Sequence, residues 1–180
     1  MTATDRQRRF ELMALPHLDA AYNLARWLTG NPADAEDVVQ TAYLRAFRYF
    51  EAWRGGDLRV WLLAIVRTSF VDWARENRSA RLVFRAEPTD EAGEALPPLW
   101  TEPTRDPEAQ VLGTLDGQSL ATLIQSLSPE YREVLILREM EDMSYKQIAA
   151  VAGVPIGTVM SRLARARAEL RRAWLAQEPA

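Results

Sequence analysis

The apolar positions of this chain fall on helical spacing in two separate stretches, and nowhere do they alternate as they would along a half-buried strand. From Asn31 the run NPADAEDVVQTAYLRAFRYF sets Ala35, Val38, Val39, Ala42, Tyr43, Ala46, Phe47 and Phe50 on one stripe. Asn31 is placed to cap that helix, Pro32 suits its first turn, and Asp34, Glu36 and Asp37 sit where the helix dipole favours acids. Upstream, His17 to Thr29 carries Leu18, Ala21, Tyr22, Ala25 and Leu28 on one face and is closed by Gly30. Downstream, Gly55-Gly56 turns the chain into a third helix, roughly Leu58 to Asn77, apolar almost all round in its first half. Three such helices can bury one another's stripes.

The second stretch begins with a short helix from Ser119 to Leu127. Ser128-Pro129-Glu130 opens the next, which runs to about Met140, and Ser144 with Gln147 makes a capping box for a third. Gly153 ends that short helix, and a last one spans about Ile156 to Leu175. In this pair Ile148 and Ala149 turn inward, Val154 plugs the corner, and Val159, Leu163, Ala166 and Leu170 form the buried row of the second helix. That is the anatomy of a helix-turn-helix.

Between the two stretches lie residues 80–117, with five of the ten prolines and eight acidic against three basic side chains. Pro97-Pro98, Pro103 and Pro107 forbid a continuous helix there, so the expected fold is all-α, two small helical domains joined by a flexible, acidic, proline-rich linker. The expected boundaries are 1–79, 80–117 and 118–180.

Composition narrows the chemistry. With no Cys and one His among 180 residues, there is no thiolate metal site, no disulfide framework and no thiol nucleophile. His17 has no evident partner, and there is no phosphate loop or nucleophile elbow, so no catalytic, cofactor or metal residue is assigned and an enzyme is not expected. The longest apolar run, Val60 to Val66, is far short of the roughly 20 residues of a membrane span, and the first residues lack the apolar core of a signal peptide, which makes the cytoplasm the expected location.

A net charge of −3 argues against a polycationic nucleic-acid binder, until the charge is located. Residues 80–117 carry −5, whereas Ile156 to Trp174 holds five Arg and one Glu. Thr158, Ser161, Arg162, Arg165, Arg167, Arg171 and Arg172 are expected on the outer face of the last helix, where arginine can read guanine or grip phosphate. Charge therefore points to DNA at one end of the chain.

The strings LSPEYREVLILREMEDMSYKQIAAVAGVPIGTVMSRLARARAEL, GNPADAEDVVQTAYLRAF and WRGGDLRVWLLAIVRTSFVDWAR together resemble regions four and two of the extracytoplasmic-function (group IV) sigma factors of bacterial RNA polymerase. The resemblance implies a region-two bundle of three or four helices that binds core polymerase and the −10 element, and a four-helix region four that reads the −35 element. It puts Asp37, Gln40, Thr41, Leu44 and Arg45 against the clamp of the largest polymerase subunit. Trp53, Arg54, Gly55, Asp57, Arg67, Thr68, Arg75 and Arg78 would melt the −10 element and hold a flipped base, while Phe47, Phe50, Trp61 and Trp73 read better as core. Thr158, Met160, Ser161, Arg162, Arg165 and Arg167 would read the −35 element. Two departures stand out: Thr68 where the family often has Asn, and Met160 where it often has Lys or Arg, a residue that cannot make a bidentate guanine contact.

The implied partners are core polymerase through its clamp and flap, promoter DNA, and an anti-sigma factor; the implied role is promoter-specific initiation, typically in a stress response. Two other readings are a sigma-like mimic that sequesters a regulator and a stand-alone helix-turn-helix regulator.

Overall fold

The computed structural model describes residues 3–77 and 117–176. Among these the secondary structure is helical throughout, with no strand. The expected linker lies outside the described residues apart from Gly117, which opens a helix, and Arg78 lies outside them too.

The first half holds α1 (Ala3–Ala14), α2 (Leu18–Thr29), α3 (Pro32–Tyr49) and α4 (Leu58–Glu76). Helix α1 is absent from the pattern-based expectation, because only Phe10 and Ala14 of its face are buried while Leu12 is 70% exposed. Phe10 meets Tyr43, Phe47 and Phe50 edge-on at centroid distances of 6.2, 5.3 and 5.3 Å, so α1 is held by an aromatic cluster rather than by a long stripe. Arg6 adds hydrogen bonds to the carbonyls of Phe47 and Arg48 at the end of α3. In α2, Leu24 is fully buried whereas Leu18 is 40% exposed, so the inner face is rotated slightly from the one expected.

Helix α3 is built as its caps require. Asn31 Oδ1 accepts from the backbone amides of Ala33 and Asp34 at 2.8 and 3.2 Å. Its buried row of Ala35, Val38, Val39, Ala42 and Ala46 packs on α2 and α4. Gly55 and Gly56, at φ 95° and 91°, make the left-handed turn before α4 that residues with a Cβ rarely adopt.

The second half holds α5 (Gly117–Ser126), α6 (Pro129–Glu139), α7 (Tyr145–Ala152) and α8 (Ile156–Leu175). Ser128 stands at the start of α6 without a capping side-chain bond, while Ser144 and Gln147 make the full capping box at α7. Helix α6 is the hub, with Val134, Leu135, Ile136 and Leu137 all buried. The two halves do not stand apart: α6 packs on α2, α7 packs on α4, and one continuous core runs from Leu24 and Leu63 to Leu137, Ile148 and Leu163.

A polar clamp spans the same junction. Arg132, 2% exposed, donates to the carbonyls of Ile124, Gln125 and Leu127 at 3.1, 2.7 and 2.7 Å and to that of Trp27 at 2.9 Å. One guanidinium thereby ties the carbonyl ends of α5 and α2, the ends where a cation is favoured.

Candidate nucleic-acid interface

Along α3, Asp37, Gln40, Thr41 and Leu44 follow i, i+3, i+4, i+7 spacing and all face solvent, with Leu44 65% exposed. Tyr49, 56% exposed, lies round the helix on the side of Arg45. Arg45 sits at the edge of the face and is held 2.6 Å from Asp72 Oδ2 on α4. The face thus sets one exposed apolar side chain beside a carboxylate, an amide and a hydroxyl.

The turn after α3 carries the next group. Trp53 stacks on Phe50 with rings 9° apart and meets Trp61 at 6.4 Å. Asp57 caps α4, accepting from the amides of Arg59 and Val60 at 2.9 and 3.3 Å, so its position is set by the helix start. Trp53, Arg54, Gly55 and Asp57 line a cleft of about 550 Å³ whose far wall is Lys146 and Gln147 of α7. Thr68 is not in that cleft. It opens onto a second groove of about 580 Å³ with Arg45, Arg48 and Tyr49, and its hydroxyl donates to the Ala64 carbonyl. The residues expected at the −10 element are therefore not gathered in one place: Trp53, Arg54, Gly55 and Asp57 line one concavity and Thr68 another, the two sharing Trp61 and Ala64, while Arg75 is exposed farther along α4 and Arg67 is turned to Glu133 of α6. Phe50 is core at 3% exposure, whereas Trp61, Phe47 and Trp73 are only half-buried, and Trp61 is available to both grooves.

Helices α7 and α8 meet at 99°, within the range of a helix-turn-helix. Gly153 makes the corner at φ 68°, and Ile148, Val159, Leu163, Ala166 and Leu170 are buried as expected. Along α8, Arg165 is exposed, Thr158, Met160, Ser161 and Arg167 are half-buried, and the Ser161 hydroxyl donates to the Thr158 carbonyl at 3.0 Å. Arg167 reaches Glu139 on α6 at 2.8 Å. Arg162 corrects the expectation of an outward row: it is 7% exposed, and its charge acts on the buried Glu133.

Glu133 is the residue that the sequence reading missed. It is fully buried on α6, with its Oε1 2.7 Å from Arg67 Nε of α4 and with Arg162 of α8 acting on it electrostatically. Burial pushes its carboxyl up to about 7 despite both cations. Nearby, Arg59 of α4 pairs with Glu141 and bonds its carbonyl, Asn23 donates to Glu141 at 2.7 Å, and Gln147 donates to Asp57 at 2.9 Å. These pairs join the two halves of the chain. A charged pair separated by some 70 positions leaves no trace in a periodic pattern.

Comparison with known proteins agrees with this geometry. The sequence profile of sigma-70 region 2 matches residues 13–80, and that of sigma-70 region 4 matches residues 117–170. The chain is 35% identical over 158 residues to the ECF RNA polymerase sigma factor SigE of Mycolicibacterium smegmatis, covering 86% of this chain and 57% of that protein. It is 35% identical over 159 residues to SigL of Mycobacterium tuberculosis, covering 86% and 82%. With EcfG of Rhodopseudomonas palustris it shares 32% over 171 residues, covering 94% and 86%. It thus spans little more than half of the first relative and over four-fifths of the other two. Among solved structures it resembles the sigma factor RpoE in complex with the anti-sigma factor NepR from Bartonella quintana, at a TM-score of 0.68 and 28% identity over 95% of this chain and 99% of that one. It also resembles CnrH in complex with the cytosolic domain of CnrY, at 0.60 and 27% over 96% and 91%. The chain belongs to the extracytoplasmic-function sigma factors of the sigma-70 family.

Proposed function

We propose that the chain binds core RNA polymerase and directs initiation at promoters defined by a −10 and a −35 element, with no catalytic centre of its own. It works in the cytoplasm, where the polymerase is. Residues 1–79 serve core and −10 binding and residues 118–180 serve −35 binding, with 80–117 as the connection. The observation that carries this reading is the pairing, in one chain, of the exposed α3 face with a helix-turn-helix whose second helix offers Arg165 to solvent.

Asp37, Gln40, Thr41 and Leu44 form the polymerase-facing surface, with Arg45 at its edge. Trp53 and Trp61 supply stacking walls for an unpaired base, and Arg54 and Arg75 supply cations for the strand beside it. Thr68 and Met160 alter promoter preference relative to relatives that carry Asn and Lys or Arg there. An anti-sigma protein of the kind seen on RpoE is the proposed regulator.

Transcription reconstituted from core polymerase, this protein and promoter fragments tests the reading. Initiation at a defined distance from a −10/−35 pair is expected. Holoenzyme that forms but selects no promoter sinks it, and tight operator binding by the free protein at physiological salt would favour a stand-alone regulator instead.

A further inference from the structure

The outer side of α8 is apolar where the helix begins and cationic only farther along. Ile156, Met160, Ala164 and Ala168 follow i, i+4, i+8, i+12 spacing and so form one ridge, apart from the row of Val159, Leu163, Ala166 and Leu170 that faces the core. Ile156 is 41% exposed and Met160 half-buried, and the first exposed arginine of the helix, Arg165, comes about two and a half turns after Ile156. Ser161, next to Met160, donates its hydroxyl to the Thr158 carbonyl at 3.0 Å, which leaves its oxygen free to accept. We propose that this opening segment reads A·T pairs in the −35 element, with Ile156 and Met160 against thymine methyl groups and Ser161 Oγ accepting from an adenine amine.

The major groove supplies the matching chemistry. In a helix-turn-helix the first residues of the second helix meet base edges. Thymine alone among the four DNA bases presents a methyl group there, and adenine presents its N6 amine as a donor. Guanine presents O6 and N7, two acceptors, and the side chains of Ile156, Met160 and Ser161 offer them no donor. Seating guanine against Ile156 or Met160 would strip water from those acceptors and put nothing in its place. Two independent observations, an apolar ridge and a hydroxyl whose proton is already used, therefore select the same base pair.

Position and spacing fit as well. A single exposed isoleucine needs no partner, but Ile156 continues into Met160 on the outward helix of a helix-turn-helix, with Arg165 beyond them for a guanine or a phosphate. Residues four apart lie about 6 Å apart along a helix, and base pairs stack about 3.4 Å apart, so Ile156 and Met160 fall on thymines about two steps apart. Gly157, between them, has nothing within 4 Å of where a Cβ would stand, so no side chain keeps this turn of backbone from the groove.

The proposal rests on α8 being the helix that reads the −35 element, and its test separates the two ideas. Holoenzyme made from core polymerase and the full chain selects promoters from a library randomised over the −35 element. Each thymine of the enriched element is then replaced singly by deoxyuridine, which removes the methyl group and keeps the pairing, and holoenzyme binding is followed by fluorescence anisotropy. Two replacements, about two steps apart, are expected to weaken binding about fourfold each, the effect of one buried methyl group. Met160→Ala should erase the uridine effect at one of them and Ile156→Ala at the other, and Met160→Arg should admit guanine at its position. An enriched element in which every uridine replacement is neutral overturns the proposal and leaves α8 as the −35 reader, and so does a uridine effect that both alanine variants keep. Holoenzyme that enriches no −35 sequence overturns the −35 reading itself, and this proposal with it.

Discussion

Arg67 of α4 and Glu133 of α6 meet at 2.7 Å across the junction of the two helical halves, and the carboxylate is fully enclosed. Enclosing a carboxylate costs more than one surface ion pair returns, so it needs several compensating charges. Arg67 and Arg162 face it from α4 and α8, while Glu130, on its own helix, opposes its ionisation. Burial still wins, and the group titrates near neutrality at about 7.

A pH dependence follows with a definite sign. The native value of about 7 lies above the ordinary 4.5, so the native fold holds this proton more tightly than the unfolded chain does. The group's stabilising effect is complete below about 4.5 and is lost as pH rises through about 7. The shift corresponds to about 3 kcal/mol. Urea unfolding of the wild type and of Glu133→Gln at pH 5, 6, 7 and 8 checks it: the difference between them should grow with pH at the wild type's expense. Parallel curves would remove Glu133 as the titrating group.

What the sequence disclosed and what it hid divide along the range of the interactions. The Asn31 cap, the Ser144–Gln147 box, the Gly153 corner and the Val159–Leu170 row are all visible because each is decided within a few residues. Helix α1 was invisible because two anchors, Phe10 and Ala14, make no periodic stripe. Arg132 and Glu133 sit in an ordinary-looking YREVLIL string, and their burial depends on Trp27 and Arg67 a hundred and some seventy positions away. Arg162 escapes the pattern for the same reason, since helical spacing gives a face of α8 but not the neighbouring elements that bury one of its arginines. The exposure of Asp37, Gln40, Thr41 and Leu44 follows from helical spacing because nothing distant covers that side of α3.

That open surface gives a second prediction. Leu44 and Asp37 are exposed and make no core contact, so Leu44→Asp and Asp37→Arg should leave the unfolding midpoint within about 0.5 kcal/mol of wild type. In a central interface position each should weaken core polymerase binding by about 2 kcal/mol, or roughly thirtyfold. Biolayer interferometry with immobilised core polymerase measures the second effect and urea melts the first. Unchanged affinity in both variants would move the docking surface off α3.

Arg132 gives the opposite profile. Arg132→Ala removes a buried cation and leaves four carbonyls, on Trp27, Ile124, Gln125 and Leu127, without this donor. Hydrogen bonds to charged groups contribute about 1.5 to 3 kcal/mol each, with partial compensation by water, so a loss of about 3 to 5 kcal/mol is expected. Arg132→Lys should recover only part of it, because an ammonium cannot span two helix ends as the guanidinium fork does. Denaturant unfolding monitored by Trp fluorescence also reports whether α5 loosens from α2, since Trp27 packs beside Leu123 and Leu127.

Arg165 and Arg167 differ in exposure on the same helix. Arg165 is exposed on α8, whereas Arg167 is half-buried and holds Glu139 at 2.8 Å. Truncating Arg165 to Ala should cost promoter binding about 1 to 3 kcal/mol. Its salt dependence then identifies the contact: a phosphate partner lowers the slope of log affinity against log salt by about 1, while a base partner leaves the slope and relaxes preference at one −35 position. Arg167→Ala should weaken DNA binding less, since part of its charge is already engaged by Glu139, and Glu139→Gln should release it and strengthen binding. Fluorescence anisotropy of holoenzyme on a −35 duplex between 50 and 200 mM salt resolves all three variants. An Arg165→Ala protein that binds as tightly as wild type across that range would take α8 out of the major groove.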